Sequence, residues 1–486
     1  MTDNNQKTSQ PLDESINSNF QQRLQQLLSD LQLDDEPAGG AVVVYKAGEC
    51  IAKASIGSAR SDLLWKPDTL AINFSTGKGV LATLVHVLVS KQLLNYDTPI
   101  ASYWPAFGTQ GKESITLRNV MSHQANLFSI QSIDANSETM LDWNVMLNKV
   151  AAMPVTLPEN AESYDSAYSA LVYGWVLGGV IEAVTDMSLA KALREYLTEP
   201  LSIADSCYFG VPDSKIEQVA TLVKDFDAAE DDSSLLLHKR HSQKPVLKAD
   251  SQKTLRTYAN LPSYSRWQQI MLEKKTAAER NSSNDKSPVR HENEQPVLNT
   301  AQINGLYFDS SQLNLKNYKA ALVPANRQPI DYHDRETLQA VIPAANGVAS
   351  AQALATIYAM LANGGVWQGQ TLIDSTTFQQ LSTPQVIGSD AVMPAQMQWR
   401  LGYHRLFTLC AHNNCAHNNG SDKKRVSQSL GFGHMGYNGS AAWCDPSRQL
   451  SFAFVHNFDA TMLNDIRQFA LTEAVLSLID DELPKR

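Results

Sequence analysis

The chain has 486 residues, 43% of them hydrophobic and 19% charged, with a formal net charge of −10. That length exceeds one ordinary core, so two domains, or one domain with a large insertion, are expected. The acidic balance, with no basic stripe carrying interleaved aromatics, argues against nucleic acid as the main partner.

The opening MTDNNQKTSQPLDESINSNF lacks the basic start and apolar core of a secretory signal, and residues 1–17 read as a disordered tail. In NFQQRLQQLLSDLQL, Phe20, Leu24, Leu27, Leu28 and Leu31 recur at helical spacing and predict a helix packed on a core. GAVVVYKAG and CIAKASIG then predict a hairpin. Helical patterns follow in VLATLVHVLVSKQLL, SITLRNVMSHQANL and SALVYGWVLGGVIEAV. The longest apolar run, 170–184, is too short to span a bilayer and carries Glu182, so no membrane partner is expected.

Between about 225 and 300 the composition turns charged and aperiodic. This stretch reads as mobile surface insertions flanking a short helix around SRWQQIMLEKK. SAQALATIYAMLANGG returns to helix, ending at a Gly pair. LGFGHMGYNGSAAWCDPSRQLSFAFVHN alternates as strands around an Asp-Pro-Ser-Arg turn, and NDIRQFALTEAVLSLID closes the chain as a helix. With strands at both ends, the expected architecture is α/β (α+β). Its sheet domain would span 18–74 and 395–486, and a helical domain, 75–394, would be inserted, carrying the 225–300 segment. Five scattered cysteines (50, 207, 410, 415, 444) show no disulfide framework and fit a soluble protein of a reducing cytoplasm.

Ser-x-x-Lys occurs three times, at Ser75/Lys78, Ser283/Lys286 and Ser421/Lys424. Only the first, in NFSTGKGVLATLVHVLVS, opens an apolar helix that would bury the lysine. Desolvation lowers a lysine pKa, and serine and lysine three apart share a helix face. The pair is either a nucleophile with its activator, or a capping serine beside a lysine whose stem runs out to solvent.

The wider series bears on that choice. PDTLAINFSTGKGV is followed by YDTPIASYWPAF, ITLRNVMSHQANL, YSALVYGWVLGGVIEAV, IPAANGVASAQALATIYAMLANGG and FGHMGYNGSAAWCDP. In this order the chain resembles serine hydrolases of the β-lactamase and penicillin-binding-protein superfamily. The closest likeness is to carboxylesterases related to class C β-lactamases, the family VIII esterases. The resemblance covers roughly residues 20–215 and 340–480. It implies a β-lactamase-like fold, an antiparallel sheet flanked by N- and C-terminal helices with an inserted helical domain.

It also implies roles. Ser75 would be acylated, with Lys78 as its activator. A tyrosine across the cleft would accept the proton if nearby cations stabilise its phenolate. Tyr168 falls in the family register, before a Tyr-Gly-Trp, and Tyr164 is the alternative. The third motif reads His434-Met435-Gly436. There Gly436 would leave room for substrate, His434 would orient it, and the N–H groups of Tyr437 and Ser75 would form the oxyanion hole. His123 is expected to be a supporting residue, and Asn126 to take a left-handed turn where the family often has glycine. Ala170 stands where β-lactamases commonly carry Asn, and His434 replaces their lysine. Both departures remove polar recognition of a β-lactam.

CAHNNCAHNN, 410–419, offers Cys410, His412, Cys415 and His417, but not at a usual zinc spacing, and reads as a duplicated surface loop. STGKG lacks P-loop spacing, and the Gly-x-Ser-x-Gly elbow is absent. The expected protein is a carboxylesterase acting on a small ester, with no cofactor and no metal. A weak β-lactamase or D-aminopeptidase-like activity, and a non-catalytic binding role for the same fold, are the alternatives. Oligomeric state is not legible.

Overall fold

The computed structural model describes residues 14–32, 38–223, 250–282, 297–326, 328–409, 431–463 and 465–482. The elements that matter for the site begin with α1 (Glu14–Asp30), β1 (Gly40–Lys46), β2 (Glu49–Ile56), β3 (Ala71–Phe74), α2 (Gly77–Ser90), α3 (Val172–Thr185) and β4 (Cys207–Tyr208). Next come α4 (Tyr264–Ser282), α5 (Leu315–Leu322), β5 (Gly347–Ala349), α6 (Ala351–Ala362), β6 (Val386–Ser389), β7 (Gln396–Trp399) and β8 (His404–Arg405). The last are β9 (Phe432–Met435), β10 (Ala441–Asp445), β11 (Leu450–His456) and α7 (Arg467–Glu482).

One eight-stranded sheet runs β6-β7-β8-β9-β10-β11-β1-β2, antiparallel throughout. The two chain ends meet toward one side of the sheet, where Gly40–Lys46 pairs with Leu450–His456. Both strands are apolar along nearly their whole length because both sheet faces are covered. On one face Trp443 Nε1 donates to Thr472 Oγ1 of α7 at 3.1 Å. On the other, Ser451 Oγ donates to the Ala355 carbonyl of α6 at 2.8 Å. The Asp-Pro-Ser-Arg turn closes as expected, with Asp445 accepting from the Ser447 N–H at 3.0 Å.

Helix α1 buries Phe20, Leu24, Leu28 and Leu31, as its spacing predicts. It starts at Glu14, so residues 14–17, assigned above to a tail, are helical. Residues 1–13 lie outside the described residues.

The domain limits also differ from those expected. Strand β6 and helix α6, placed by sequence in the helical domain 75–394, belong to the large sheet and its cover.

The polar insertion is likewise not uniform. Residues 250–282 hold two helices, and Trp267 on α4 is fully buried, donating to the Tyr307 hydroxyl at 2.9 Å. That hydroxyl donates to the buried Glu473 of α7 at 2.9 Å, which pins α4 to the C-terminal helix. The flanking stretches 224–249 and 283–296, and the CAHNNCAHNN repeat, lie outside the described residues.

Helix α2 is buried from Gly77 to Leu88 and packs on α3, β9 and α6. A helix apolar all round belongs between layers, and this one carries its first turn to the junction of sheet and helices. A small sheet, β3-β5-β4, stands beside that turn.

Candidate active site

Ser75 sits between β3 and α2. Phe74, just before it, has a left-handed backbone (φ +48°), which a bulky residue adopts only where its surroundings impose it. Ser75 is not the helix cap. Thr76 occupies the cap position and donates its hydroxyl to the Ser440 carbonyl at 2.9 Å. Lys78 does not reach solvent either, being fully buried. Its Nζ lies 2.9 Å from Ser75 Oγ and 2.7 Å from each of the Ala170 and Ala344 carbonyl oxygens. The turn carrying Ala344 fits because α3 has Gly174 there; a Cβ would fall 2.6 Å from the Ala344 nitrogen.

Opposite Ser75 runs the turn after β9. The Gly436 N–H donates to the Ser440 carbonyl at 2.6 Å, and the Tyr437 carbonyl accepts from the Met462 N–H at 2.6 Å. The reason for Gly436 differs from the one expected. A Cβ there would meet the Asn73 carbonyl oxygen at 2.5 Å, so glycine is required by the packing of the turn on β3, before any substrate enters. This packing and the Thr76–Ser440 bond fix Tyr437 against Ser75. Among the described residues, no acceptor takes the backbone N–H of either.

Ser75 and Tyr168 line a cavity of about 290 Å³ whose walls include Phe74, Trp399, Tyr318, Tyr332, His434 and Tyr437. No Lys, Arg, Asp or Glu lies among its described lining residues.

Residues 17–476 match the beta-lactamase family. The chain belongs to that family. The esterase/beta-lactamase LipL of Mycobacterium tuberculosis is 30% identical over 424 residues, covering 86% of this chain and 77% of its own. Among solved structures, a penicillin-binding-protein homolog from Caulobacter crescentus superposes with a TM-score of 0.65 at 24% identity, covering 97% of this chain and 99% of its own. A family VIII carboxylesterase gives a TM-score of 0.64 at 21% identity, covering 94% and 97%. These two likenesses establish the fold, and the beta-lactamase family places the chain among hydrolases.

Of the two candidate tyrosines, this family member turns Tyr168 into the cavity and leaves Tyr164, partly buried, packed on the core outside it. The Ser75 hydroxyl is the side-chain group acting to lower the Tyr168 pKa, so the two hydroxyls face each other. Lys78 Nζ stands 5.0 Å from the Tyr168 ring centroid.

Burial pushes the Tyr168 pKa above 10 and drives Lys78 well below its ordinary value of 10.5. Among the described residues no carboxylate pairs with Lys78. Burial without a counter-charge favours the neutral form of the amine, as it does that of the phenol. The expected phenolate, held by a charged lysine, is therefore not what this environment favours.

His434 is buried on β9. Its Nδ1 lies 3.0 Å from the Met435 carbonyl, which can only accept, so Nδ1 carries the proton and Nε2 is left as an acceptor. Burial, then His404 and Lys78, hold its pKa well below 6.5. His123 takes φ +58°, accepts the Ser169 N–H at 3.2 Å through Nδ1, and packs edge-on to Trp399 at 4.3 Å. It therefore supports the tyrosine wall. Asn126 takes the expected left-handed turn, φ +54°. Ala170 contributes its carbonyl to Lys78, a function that survives the loss of the Asn side chain.

Sequence reasoning missed Asp390, a buried carboxylate that gathers five donors. It accepts from the Ser166 hydroxyl at 2.7 Å, the Tyr168 N–H at 3.2 Å, and the Trp399 indole at 3.2 Å. The Val392 and Met393 N–H groups each donate to it at 2.9 Å. It also missed His404, whose Nε2 accepts the Met435 N–H at 3.0 Å. The wall formed by Tyr318, Leu322, Val323, Pro329, Ile330 and Tyr332 lies in the gap between the two resembling stretches, where no register was available.

Proposed function

We propose that the protein is a serine carboxylesterase that cleaves small apolar esters through an acyl-enzyme on Ser75. The observation that carries this reading is the contact of Ser75 Oγ with the fully buried Lys78 amine, at 2.9 Å, on the wall of an aromatic and aliphatic cavity.

Lys78, neutral by desolvation, accepts the Ser75 proton as Oγ attacks the ester carbonyl. The Ala170 and Ala344 carbonyls, already at 2.7 Å, stabilise the ammonium that forms. The N–H groups of Ser75 and Tyr437 receive the oxyanion. Tyr168, protonated by the same burial, donates to the departing alkoxide and recovers a proton from Lys78. Water then repeats the sequence on the acyl-enzyme, with proton movements reversed. Tyr168 is thus the acid in acylation, and Lys78 takes the base role that sequence reading gave to the tyrosine.

The uncharged lining supports ester over β-lactam or D-amino-acid amide, whose carboxylate or ammonium would find no counter-charge among the described lining residues. Side-by-side turnover of p-nitrophenyl acetate and butyrate, a chromogenic cephalosporin and a D-amino-acid amide tests the reading. Ester turnover that vanishes in Ser75→Ala supports it. Fast cephalosporin or amide turnover with negligible ester cleavage overturns it.

A further inference from the structure

A second, smaller cavity of about 130 Å³ lies beside the first. Its walls include Ile72, Ile216, Val219, Leu222 and Leu338, with the partly exposed Arg60 and Arg335 also lining it and both bonded to Glu217. Tyr332 lines both cavities, and no other described residue does. Its ring stands edge-on to Phe74, centroids 5.0 Å apart and planes at 72°. The next residue, His333, bonds Asp459 at 3.0 Å, and the Asp331 carboxylate accepts the His333 N–H at 2.9 Å. Tyr332 is therefore clamped on one side by an aromatic contact and on the other by a tethered backbone.

We propose that Tyr332 is the specificity-determining residue that ends the substrate cavity, limiting the enzyme to compact esters and closing off an annex whose aliphatic side, Ile72, Ile216, Val219, Leu222 and Leu338, would otherwise take a longer hydrocarbon chain beside the Arg60–Glu217–Arg335 cluster. This rests on the reading of the larger cavity as the substrate's seat. A flat ring at the boundary between the two cavities acts as a stop. Chain atoms that reach it gain no further burial, whereas each methylene buried beyond it would raise affinity about fourfold. The side chain belongs to a segment that supplies wall and no chemistry, so its removal alters length preference and leaves Ser75, Lys78 and Tyr168 in place.

The test uses a series of p-nitrophenyl esters of increasing acyl length on the wild type, Tyr332→Ala, Tyr332→Leu and Tyr332→Phe. Binding of straight-chain alcohols of the same lengths is read in parallel by tryptophan fluorescence, since Trp399 lines the cavity. The proposal expects kcat/KM and alcohol affinity to stop rising at one chain length in the wild type and Tyr332→Phe, and at a longer length in Tyr332→Ala and Tyr332→Leu. The same break point in all four proteins overturns it, as does a shift in Tyr332→Phe equal to that in Tyr332→Ala. Should no ester turn over in the wild type, the esterase reading fails. The alcohol series then decides the partition by the same two outcomes.

Discussion

Trp399 lies parallel to Tyr168, ring planes 2° apart and centroids 5.5 Å apart, and both hang from the carboxylate of Asp390. The indole N–H and the Tyr168 backbone N–H donate to its two oxygens, so a residue that touches no substrate sets where the phenol stands. Asp390→Ala removes the acceptor shared by five donors, of which the indole N–H keeps a second one, Ser166 Oγ at 3.0 Å. It is expected to lower stability by about 3 kcal/mol and kcat at least tenfold. Asp390→Asn, which keeps one acceptor oxygen, falls between. Denaturant midpoints and ester kinetics on the two variants check this; a kcat untouched in Asp390→Ala contradicts it.

The pH profile follows from the neutral pair. Catalysis needs Lys78 unprotonated, and its folded pKa is lowered, so kcat/KM climbs as pH rises through that lowered value and then levels. It needs Tyr168 protonated, and burial holds its pKa above 10, so no falling limb is expected below pH 10. A bell that turns down near neutrality would contradict the assignment of Lys78 as base and Tyr168 as acid.

Tyr168→Phe keeps the ring against Trp399 and removes only the hydroxyl. A loss in kcat of about 10²–10⁴ is expected, the usual range for a general acid or base, with an unchanged thermal midpoint. Tyr164→Phe, whose ring lies outside the cavity, should stay within about twofold of wild type. Equal losses in the two would remove the distinction drawn between them.

Stability should fall in mild acid. His86, His404 and His456 are buried, with folded pKa values pushed by burial to about 3, 4 and 3, against 6.5 in the unfolded chain. Between pH 6.5 and 4 the unfolded state binds protons that the folded state refuses, so unfolding becomes easier as pH drops. Each such histidine contributes about 1.4 kcal/mol per pH unit in that window. Urea midpoints at pH 7.5 and 5 measure it. An equal or higher midpoint at pH 5 contradicts it.

Much of this was legible in the sequence where a single residue type had one physical use. GAVVVYK read as one strand of a hairpin and is a strand, and of the two readings open for Lys78 behind Ser75 at the mouth of an apolar helix the buried one is what the structure shows. The protonation of Tyr168 was not legible, because it depends on the rings and carbonyls that distant segments bring around it. Asp390 reads in SDAVMPA as an ordinary turn residue; its role appears only when Tyr168 and Trp399 arrive from two other stretches. Trp267 was hidden in a charged run, since one buried ring leaves no periodicity. Strand β6 is four residues long at a sheet edge, too short to announce its layer.

The central claim is covalent: the substrate's acyl group passes through Ser75 Oγ. Intact-mass spectrometry of the wild type, quenched during turnover of p-nitrophenyl butyrate, tests it most directly, with Ser75→Ala treated alongside. The account predicts a wild-type species heavier by one butyryl group, mapped by peptide digestion to Ser75, and neither adduct nor turnover in Ser75→Ala. Equal turnover in both proteins, or an adduct on another residue that survives the substitution, would contradict it.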